Sequence, residues 1–237
     1  MKNIVIIGAS SGVGKGLVEA YSETDCQVIA IARRVGLVPQ KGNIFPIAFD
    51  VKNHDDIKLL MANIVKKYGK INTIIYCAGI QYIAPLRVSK VDKVADVFNV
   101  NFLGVYFFLG SFASKKVYAD ENPSFIVISS IAAQKPESGI LAYSASKAAI
   151  ESLVLGSAIE LAPIRVNAVA PGFMETPMTQ SFPIVYSEGF ISELDKKTPL
   201  GLTSVSDVVK TVEFLSSELA IKITGEIIAV DGGSRLL

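Results

Sequence analysis

The sequence predicts a doubly wound α/β fold, in which seven parallel strands form one sheet and helices cover both of its faces. Apolar runs of strand length alternate with segments of helical period from one end of the chain to the other. The runs are almost continuously apolar, as expected of parallel strands that are buried on both faces. A glycine-rich turn joins the first run to the first helical segment, as in other doubly wound folds.

The order of the elements follows from these runs. We expect strands at residues 4–7, 28–32, 44–49, 71–77, 125–129, 166–170 and 226–230. We expect helices at residues 13–21, 55–68, within 88–118, at 143–161 and at 206–217. The chain is expected to form a single domain over residues 1–237, because it contains no internal repeat and no low-complexity linker.

Composition narrows the class of partner. The formal net charge is +1, so no basic face and no nucleic-acid partner are expected. The apolar stretch at residues 98–112 is too short and too polar to predict a membrane span. Cys26 and Cys77 lie on apolar stretches and are expected to be buried thiols. Met1 leads straight into a strand, without the cleavage site of a signal peptide. We therefore expect a cytoplasmic protein, and we predict no metal site.

Residues 173–202 form the one long irregular segment, which is rich in proline, serine and aromatic residues. A loop of this length inside a compact domain is usually functional. It follows the carboxyl end of a strand, where open α/β sheets bind ligands. We expect it to be a lid over the substrate.

The glycine turn predicts a phosphate-binding site. It reads Gly8-Ala9-Ser10-Ser11-Gly12-Val13-Gly14. Glycines allow a sharp turn and a close approach of the backbone to a ligand. The free N–H groups at the start of the next helix attract a pyrophosphate. A purely structural turn between strand and helix has the same composition, so this motif alone leaves both interpretations open.

The same turn also fits the G-x-S-x-G pattern of a serine-hydrolase nucleophile elbow, with Ser10 as the nucleophile. That chemistry needs a histidine that follows the serine and an acid in the chain. His54 is the only histidine, and it lies early, in a polar helix start. The hydrolase interpretation is therefore disfavoured.

The end of the second strand favours a phosphorylated dinucleotide. An NAD-binding protein normally carries an acidic residue there, about twenty residues past the glycines, to hold the ribose hydroxyls. This chain instead has Ala32 followed by Arg33 and Arg34. Two cations without an opposing carboxylate predict a 2′-phosphate, so NADP(H) is favoured over NAD(H), with Ser11 as a further contact. The alternative interpretation is that both arginines are solvated loop residues that bind no phosphate.

A tyrosine and a lysine provide the strongest chemical signal. Tyr143 and Lys147 are four residues apart in a predicted helix and therefore share one face. An ammonium beside a phenol is expected to lower the pKa of the tyrosine, which can then exchange a proton with a carbonyl or an alcohol. Ser130, at the end of a buried strand, is expected to donate a hydrogen bond to the same substrate oxygen.

Together these motifs resemble the short-chain dehydrogenase/reductase family over nearly the whole chain, which implies a Rossmann-type sheet. The matching pieces, in family order, are Gly8–Gly14, Asp50-Val51, Cys77-Ala78-Gly79, Asn101, Ser130, Tyr143–Lys147, Pro171-Gly172 with Thr176, Thr224-Gly225 and Asp231–Gly233. One departure is Tyr76-Cys77, where the family usually has asparagine. We expect it to alter local packing without loss of chemistry.

The resemblance implies roles for residues that spacing alone does not assign. Lys147 is expected to bind the nicotinamide ribose, and Asn101 to kink its helix and hold a water that links Lys147 to solvent. Asp50 and Val51 are expected to lie at the adenine. The remaining cofactor contacts are Cys77, Ala78, Gly79, Pro171, Gly172 and Thr176, of which the last three would lie at the carboxamide.

The expected function is reversible reduction of a carbonyl to an alcohol with NADP(H). Residues 171–176 and 224–233 resemble those of bacterial 3-oxoacyl-carrier-protein reductases, so the expected substrate is a 3-oxoacyl thioester or another small ketone. The acidic residues Asp120 and Glu121 weigh against an acidic carrier protein. An inactive NADP(H)-binding scaffold is the alternative function. Apolar residues at 96–112 and 150–159 predict a homotetramer or a homodimer.

Overall fold

The computed structural model describes all residues from 1 to 237, and its seven strands form a single parallel sheet. The strands are β1 (Lys2–Ile7), β2 (Cys26–Ala32), β3 (Ile44–Ala48), β4 (Thr73–Tyr76), β5 (Ser124–Ile128), β6 (Arg165–Pro171) and β7 (Ile227–Val230). Their order across the sheet is β3-β2-β1-β4-β5-β6-β7. The strand order reverses between β1 and β4, which creates the crevice typical of doubly wound sheets. The predicted Rossmann-type fold is confirmed.

Eight α-helices accompany the sheet. They are α1 (Gly12–Ser22), α2 (Ile57–Tyr68), α3 (Val91–Phe98), α4 (Gly104–Phe112), α5 (Leu141–Glu160), α6 (Pro177–Gln180), α7 (Glu188–Lys197) and α8 (Val205–Ser216). Strand boundaries differ from the predicted ones by at most two residues. The predicted element types are therefore correct for every strand.

The core has two halves because alternate strand residues point to opposite faces of the sheet. Val5 and Ile7 contribute to a cluster of 25 buried residues, which α2, α4 and α5 cover. Ile4 and Ile6 contribute to a cluster of 20 buried residues, which α1 and α8 cover. A strand that is buried on both faces needs apolar residues at every position, and this explains the continuous apolar runs.

The segment at residues 173–202 is not irregular throughout, and our prediction of one long loop was wrong. It contains the short helix α6 and the ten-residue helix α7. The Ser187 hydroxyl caps α7 by accepting from the N–H of Phe190. Lys196 and Lys197 occupy the last turn, where cations stabilise the helix dipole. A capping serine at the start and lysines in the last turn are typical of a helix, but the high proline and serine content of the segment led us to predict a loop.

The helical stretch from Val91 to Phe112 is longer than the apolar segment that we considered as a span. It runs for 22 residues through α3, a π-turn at Asn99–Leu103 and α4, and by length and composition it could cross a membrane. The argument that it is too short was therefore wrong. However, Val97, Phe108 and Phe112 are fully buried, and the last two belong to the core beneath the sheet. We interpret it as a core helix.

Candidate active site

A cavity of about 840 Å³ opens past the carboxyl ends of the strands. It brings together 18 of the 20 residues that the sequence assigned to a site. They are Gly8, Ser10, Ser11, Gly12, Val13, Arg33, Arg34, Asp50, Val51, Cys77, Ala78, Gly79, Ser130, Tyr143, Lys147, Pro171, Gly172 and Thr176. Gly14 and Asn101 lie behind the wall and do not line it.

The glycine turn packs so closely that side chains are excluded from it. A Cβ atom at Gly14 would lie 2.2 Å from the carbonyl oxygen of Gly8, and one at Gly8 would lie 2.6 Å from the backbone nitrogen of Ala78. Gly8 also has φ +90°, which favours glycine. The turn therefore holds the start of α1 against the end of β4 at the floor of the cavity.

The start of α1 fits an anionic group. Its N-cap residue, Ser11, makes no side-chain capping hydrogen bond, and no acidic residue occupies the first turn. The amide groups of that turn consequently have no carboxylate or capping hydroxyl as an acceptor. Ser10, Ser11 and Gly12 line the cavity at this point. A pyrophosphate is the type of group that such a helix end binds.

Arg33 and Arg34 lie exposed at the rim of the cavity, directly after β2. Neither guanidinium makes an ion pair or a side-chain hydrogen bond within the chain. Ala32, at the end of β2, brings no carboxylate to this corner, and the side chain of Asp50 accepts a hydrogen bond from the N–H of Lys52. The corner therefore has two cations available for a phosphate.

Ser130, Tyr143 and Lys147 meet at the other end of the cavity. Ser130 follows β5, and its hydroxyl accepts from the N–H of Ala132 at 3.2 Å. The Lys147 ammonium lies one helical turn from Tyr143, at 5.6 Å from the centre of its ring. It donates a 2.7 Å hydrogen bond to the carbonyl oxygen of Ile128, at the end of β5. The sheet and α5 thus place all three groups on one side.

Burial controls the ionisation of this pair. Burial raises the pKa of Tyr143 to about 12, an effect that a hydrogen bond with Ser130 partly opposes and the nearby Tyr186 reinforces. Burial also lowers the pKa of Lys147 to about 8. Our expectation of a lowered tyrosine pKa was therefore wrong. The reason is that burial disfavours the charged phenolate, while the Lys147 ammonium is bonded to the carbonyl of Ile128.

Asn101 occupies the π-turn between α3 and α4 and is completely buried. Its side-chain amide donates to the carbonyl of Ile80 and to the hydroxyl of Ser146, both at 3.0 Å, and its oxygen accepts from the N–H of Ile80 at 2.9 Å. The expected helix irregularity is present. Asn101 thereby ties the loop after β4 to α5 next to Lys147.

Comparison with known proteins identifies the family. The family model described as enoyl-(acyl carrier protein) reductase matches residues 8–235. The 3-oxoacyl-(acyl-carrier-protein) reductase of Thermotoga maritima is 33% identical, over 98% of this chain and 97% of the relative. The chain belongs to the short-chain dehydrogenase/reductase family. It is an oxidoreductase that acts on CH–OH groups or on the corresponding carbonyls.

Solved structures agree with this assignment. The aldohexose dehydrogenase of Thermoplasma acidophilum, in ligand-free form, superposes with a TM-score of 0.91 at 29% identity, covering 100% of this chain and 94% of that one. ElxO with NADP bound superposes with a TM-score of 0.87 at 28% identity, covering 100% of this chain and 99% of that one. Both comparisons extend over the whole of this short-chain dehydrogenase/reductase.

The departure from the family motif at Tyr76 has a structural explanation that the sequence did not reveal. The hydroxyl of this buried tyrosine donates a 2.6 Å hydrogen bond to the carbonyl oxygen of Val100, within the π-turn that carries Asn101. A Cβ atom at Gly104 would lie 2.1 Å from the same hydroxyl. Tyr76 and Gly104 therefore fit each other at this turn.

Other expectations about this short-chain dehydrogenase/reductase need adjustment. Asp120 pairs with Lys70 before the first residues of β4 and β5, at the sheet edge opposite the cavity. Within one chain its charge does not face the cleft, so our argument against a carrier protein fails.

Cys26 and Cys77 are free but only partly buried. His54 contacts the carbonyl of Asn99 and does not line the cavity, which removes the hydrolase alternative.

No group of three or more histidine, cysteine, aspartate or glutamate side chains is placed to hold a metal ion.

The sequence analysis did not identify two aromatic side chains that α7 and the loop before it bring to the cavity, Tyr186 and Phe190. They pack against Phe173 with ring centres 5.2 to 5.8 Å apart. Recognition of α7 as an amphipathic helix would have indicated Phe190.

Proposed function

We propose that the protein catalyses the reversible reduction of a small ketone to an alcohol with NADP(H). The observation that supports this most directly is the single cavity in which Ser130, Tyr143 and Lys147 face the same space as the glycine turn. The bound cofactor would supply or accept a hydride at its nicotinamide ring. The protein has to position the substrate oxygen, move one proton and exclude water.

The cofactor would lie along the cavity from the rim to Lys147. The open start of α1 would bind the pyrophosphate, and Arg33, with Arg34 and Ser11, would bind the 2′-phosphate. Asp50 and Val51 would lie at the adenine. Cys77, Ala78 and Gly79 would form one wall, and Pro171, Gly172 and Thr176 would lie at the carboxamide.

Three side chains would carry the proton chemistry. The Ser130 hydroxyl would donate a hydrogen bond to the substrate oxygen, and the Tyr143 hydroxyl would give its proton to that oxygen as the alcohol forms. Lys147 would return a proton to Tyr143, since a pKa of about 8 lets it hold and release a proton near neutral pH. Asn101 would act as a positioning residue, because it anchors the segments on both sides of Lys147.

The Tyr143→Phe variant tests this mechanism. We expect unchanged NADPH binding and a loss of NADPH oxidation by about 10²–10⁴-fold, since general acid catalysis of this type contributes that much. NADPH absorbance with a panel of ketones measures the rate, and Tyr68→Phe, at a half-buried tyrosine at the end of α2 and outside the cavity, is the control. An inactive scaffold would bind NADPH and never oxidise it with any ketone. Equal rates for Tyr143→Phe and wild type would remove this residue from the mechanism.

The choice of NADP(H) over NAD(H) rests on Arg33. One charge-assisted contact to the 2′-phosphate contributes about 1.5–3 kcal/mol, or roughly one to two powers of ten in affinity. The double variant Ala32→Asp/Arg33→Ala adds repulsion to lost attraction and is expected to reverse the ratio of kcat/KM between NADPH and NADH. Arg87→Ala, at an exposed arginine outside the cavity, is expected to leave it unchanged. A wild-type preference for NADH would contradict the argument.

Further proposals concern the molecule as a whole. We propose a single-domain, cytoplasmic enzyme whose residues 173–202 cover the substrate. We propose a homotetramer or homodimer, because Tyr106 and Phe107 on α4 and Leu155 and Ile159 on α5 expose large apolar side chains.

A further inference from the structure

We propose that the substrate carries apolar substituents on its carbonyl carbon and no hydroxyl groups. This inference rests on the proposed function, because it concerns the space beside Tyr143. We call this space the substrate compartment and define it by its apolar wall, Ile131, Ile140, Phe173, Met178, Phe190 and Leu194, all of which line the cavity.

The position of the compartment follows from contacts near the reactive groups. Ile131 follows Ser130, and Ile140 precedes the first turn of α5, which carries Tyr143. A Cβ atom at Gly79 would lie 3.8 Å from both the Lys147 nitrogen and the terminal methyl group of Met178. The far wall is the aromatic cluster of Phe173, Tyr186 and Phe190. The apolar side chains therefore surround the point where the carbonyl would react.

Most polar side chains of the compartment are already bonded within the protein. The Gln81 side-chain amide donates to the Tyr186 hydroxyl at 2.8 Å. The Thr179 hydroxyl donates to backbone carbonyls of its own turn and accepts from the N–H of Thr176. Lys135 donates to the carbonyl oxygens of Ser234 and Leu237.

Two further polar side chains at this end of the cavity are also bonded within the protein. The Ser181 hydroxyl donates to the carbonyl of Met178, and the Lys197 ammonium pairs with Glu193. Side chains that are satisfied within the protein in this way offer few partners to a ligand. Three hydroxyl groups remain: those of Ser130 and Tyr143, which would bond the oxygen that reacts, and the buried hydroxyl of Ser234, which lines the cavity without a partner.

Glu137 is the remaining charged group. It is exposed, lines the cavity and makes no ion pair or side-chain hydrogen bond within the chain. Lys135 lines the same space with an ammonium group that is bonded only to backbone oxygens. The two charges oppose each other, so the selectivity of the compartment comes from its apolar wall.

These observations argue against a polyhydroxylated substrate. Each hydroxyl buried without a partner costs free energy, whereas each methylene buried against the wall gains it. Discrimination between a substrate with and without hydroxyl groups is large only where the site provides matching polar groups. The compartment provides a pair of them, Ser130 and Tyr143, for the reacting oxygen, and beyond these only the Ser234 hydroxyl. Similarity to an aldohexose dehydrogenase in fold therefore does not extend to the substrate.

A series of methyl ketones tests the proposal. NADPH oxidation is measured with butan-2-one, hexan-2-one and octan-2-one, and with erythrulose, which adds three hydroxyls to the four-carbon skeleton. We expect kcat/KM to rise about fourfold per methylene until the compartment is full, and to fall at least about tenfold from butan-2-one to erythrulose. The thioester of a 3-oxoacyl chain distinguishes a free ketone from a carrier-bound one with the same apolar chain.

The outcomes separate the two proposals. Faster turnover of erythrulose than of butan-2-one would overturn the apolar compartment and leave the proposed function intact. Failure of every ketone to oxidise NADPH, and of every alcohol to reduce NADP⁺, would instead overturn the proposed function. A flat response to chain length would also contradict the compartment.

Phe190→Ser probes the wall directly, and Phe214→Ser is its matched control. Both phenylalanines lie on helices and have similar exposure, 37% and 39%, but only Phe190 lines the cavity. We expect Phe190→Ser to lower kcat/KM about tenfold for octan-2-one and by a clearly smaller factor for butan-2-one, whose chain buries less apolar surface. Phe214→Ser is expected to change neither. Equal losses for both ketones would count against the wall.

Binding without turnover provides a second readout. NADP⁺ cannot reduce a ketone, so calorimetry of octan-2-one against the wild-type NADP⁺ complex reports affinity alone. We expect tighter binding than for butan-2-one and a negative heat-capacity change, the signature of buried apolar surface. Equal affinities for the two ketones would overturn the proposal even if both are reduced.

Discussion

Removal of one buried hydroxyl, in Tyr76→Phe, tests how the active-site π-turn is held. Tyr76 is 1% exposed, and its hydroxyl donates to the carbonyl of Val100 at 2.6 Å. The variant leaves that buried acceptor without this donor, which costs about 1–3 kcal/mol of unfolding free energy. For a domain of 237 residues this corresponds to a fall in Tm of about 2–12 °C.

Activity is expected to fall as well, because Val100 precedes Asn101 in the same turn. Asn101 anchors Ile80 and Ser146, so a shifted turn displaces the segments on either side of Lys147. We expect kcat to decrease more than the KM for NADPH increases. Circular dichroism is the appropriate measure of unfolding, since the chain has no tryptophan.

Tyr21→Phe is the matched control. Tyr21 is also buried, and its hydroxyl lies 2.6 Å from that of Ser216. Ser216 remains satisfied after the change, because it also donates to the carbonyl of Glu213. We therefore expect a loss of only about 1 kcal/mol and no change in kcat. If Tyr76→Phe matched Tyr21→Phe in both measurements, the role assigned to the Val100 contact would be wrong.

A double-mutant cycle adds a second check. Gly104→Ala places a methyl group against the Tyr76 hydroxyl and is expected to destabilise the wild type strongly. The same substitution should cost less in the Tyr76→Phe background, because the hydroxyl is gone. Additive costs would refute the fit between these two residues.

Two predictions concern pH and assembly. Burial lowers the pKa of Lys147 to about 8, so its proton is present below that pH and lost above it. Carbonyl reduction should therefore decline above about pH 8, and alcohol oxidation should increase. Profiles of kcat/KM in both directions between about pH 6 and 10 measure this. A reduction rate that is constant over this range would contradict a proton supplied through Lys147. The apolar faces of α4 and α5 predict a dimer or tetramer by light scattering at micromolar concentration, and a monomer mass would refute it.

The sequence alone determined the features that depend on neighbours along the chain. Continuous apolar runs identify strands buried on both faces, so every strand of the sheet was predicted. The Gly8–Gly14 turn follows from a local backbone requirement. Tyr143 and Lys147 share a face because four residues make about one helical turn.

Only the tertiary structure decided the features that depend on residues distant in the chain. The direction of the Tyr143 pKa shift was predicted wrongly, because desolvation by the surrounding protein is invisible in a helical pair. Tyr76 looked like a lost asparagine, and its bond to Val100 crosses 24 residues of sequence. Asp120 looked close to the reactive serine, yet a parallel strand separates its two ends by the full height of the sheet. The substrate compartment arises in the same way, since Tyr186 and Phe190 reach it only after α7 and the loop before it fold back over the carboxyl ends of the strands.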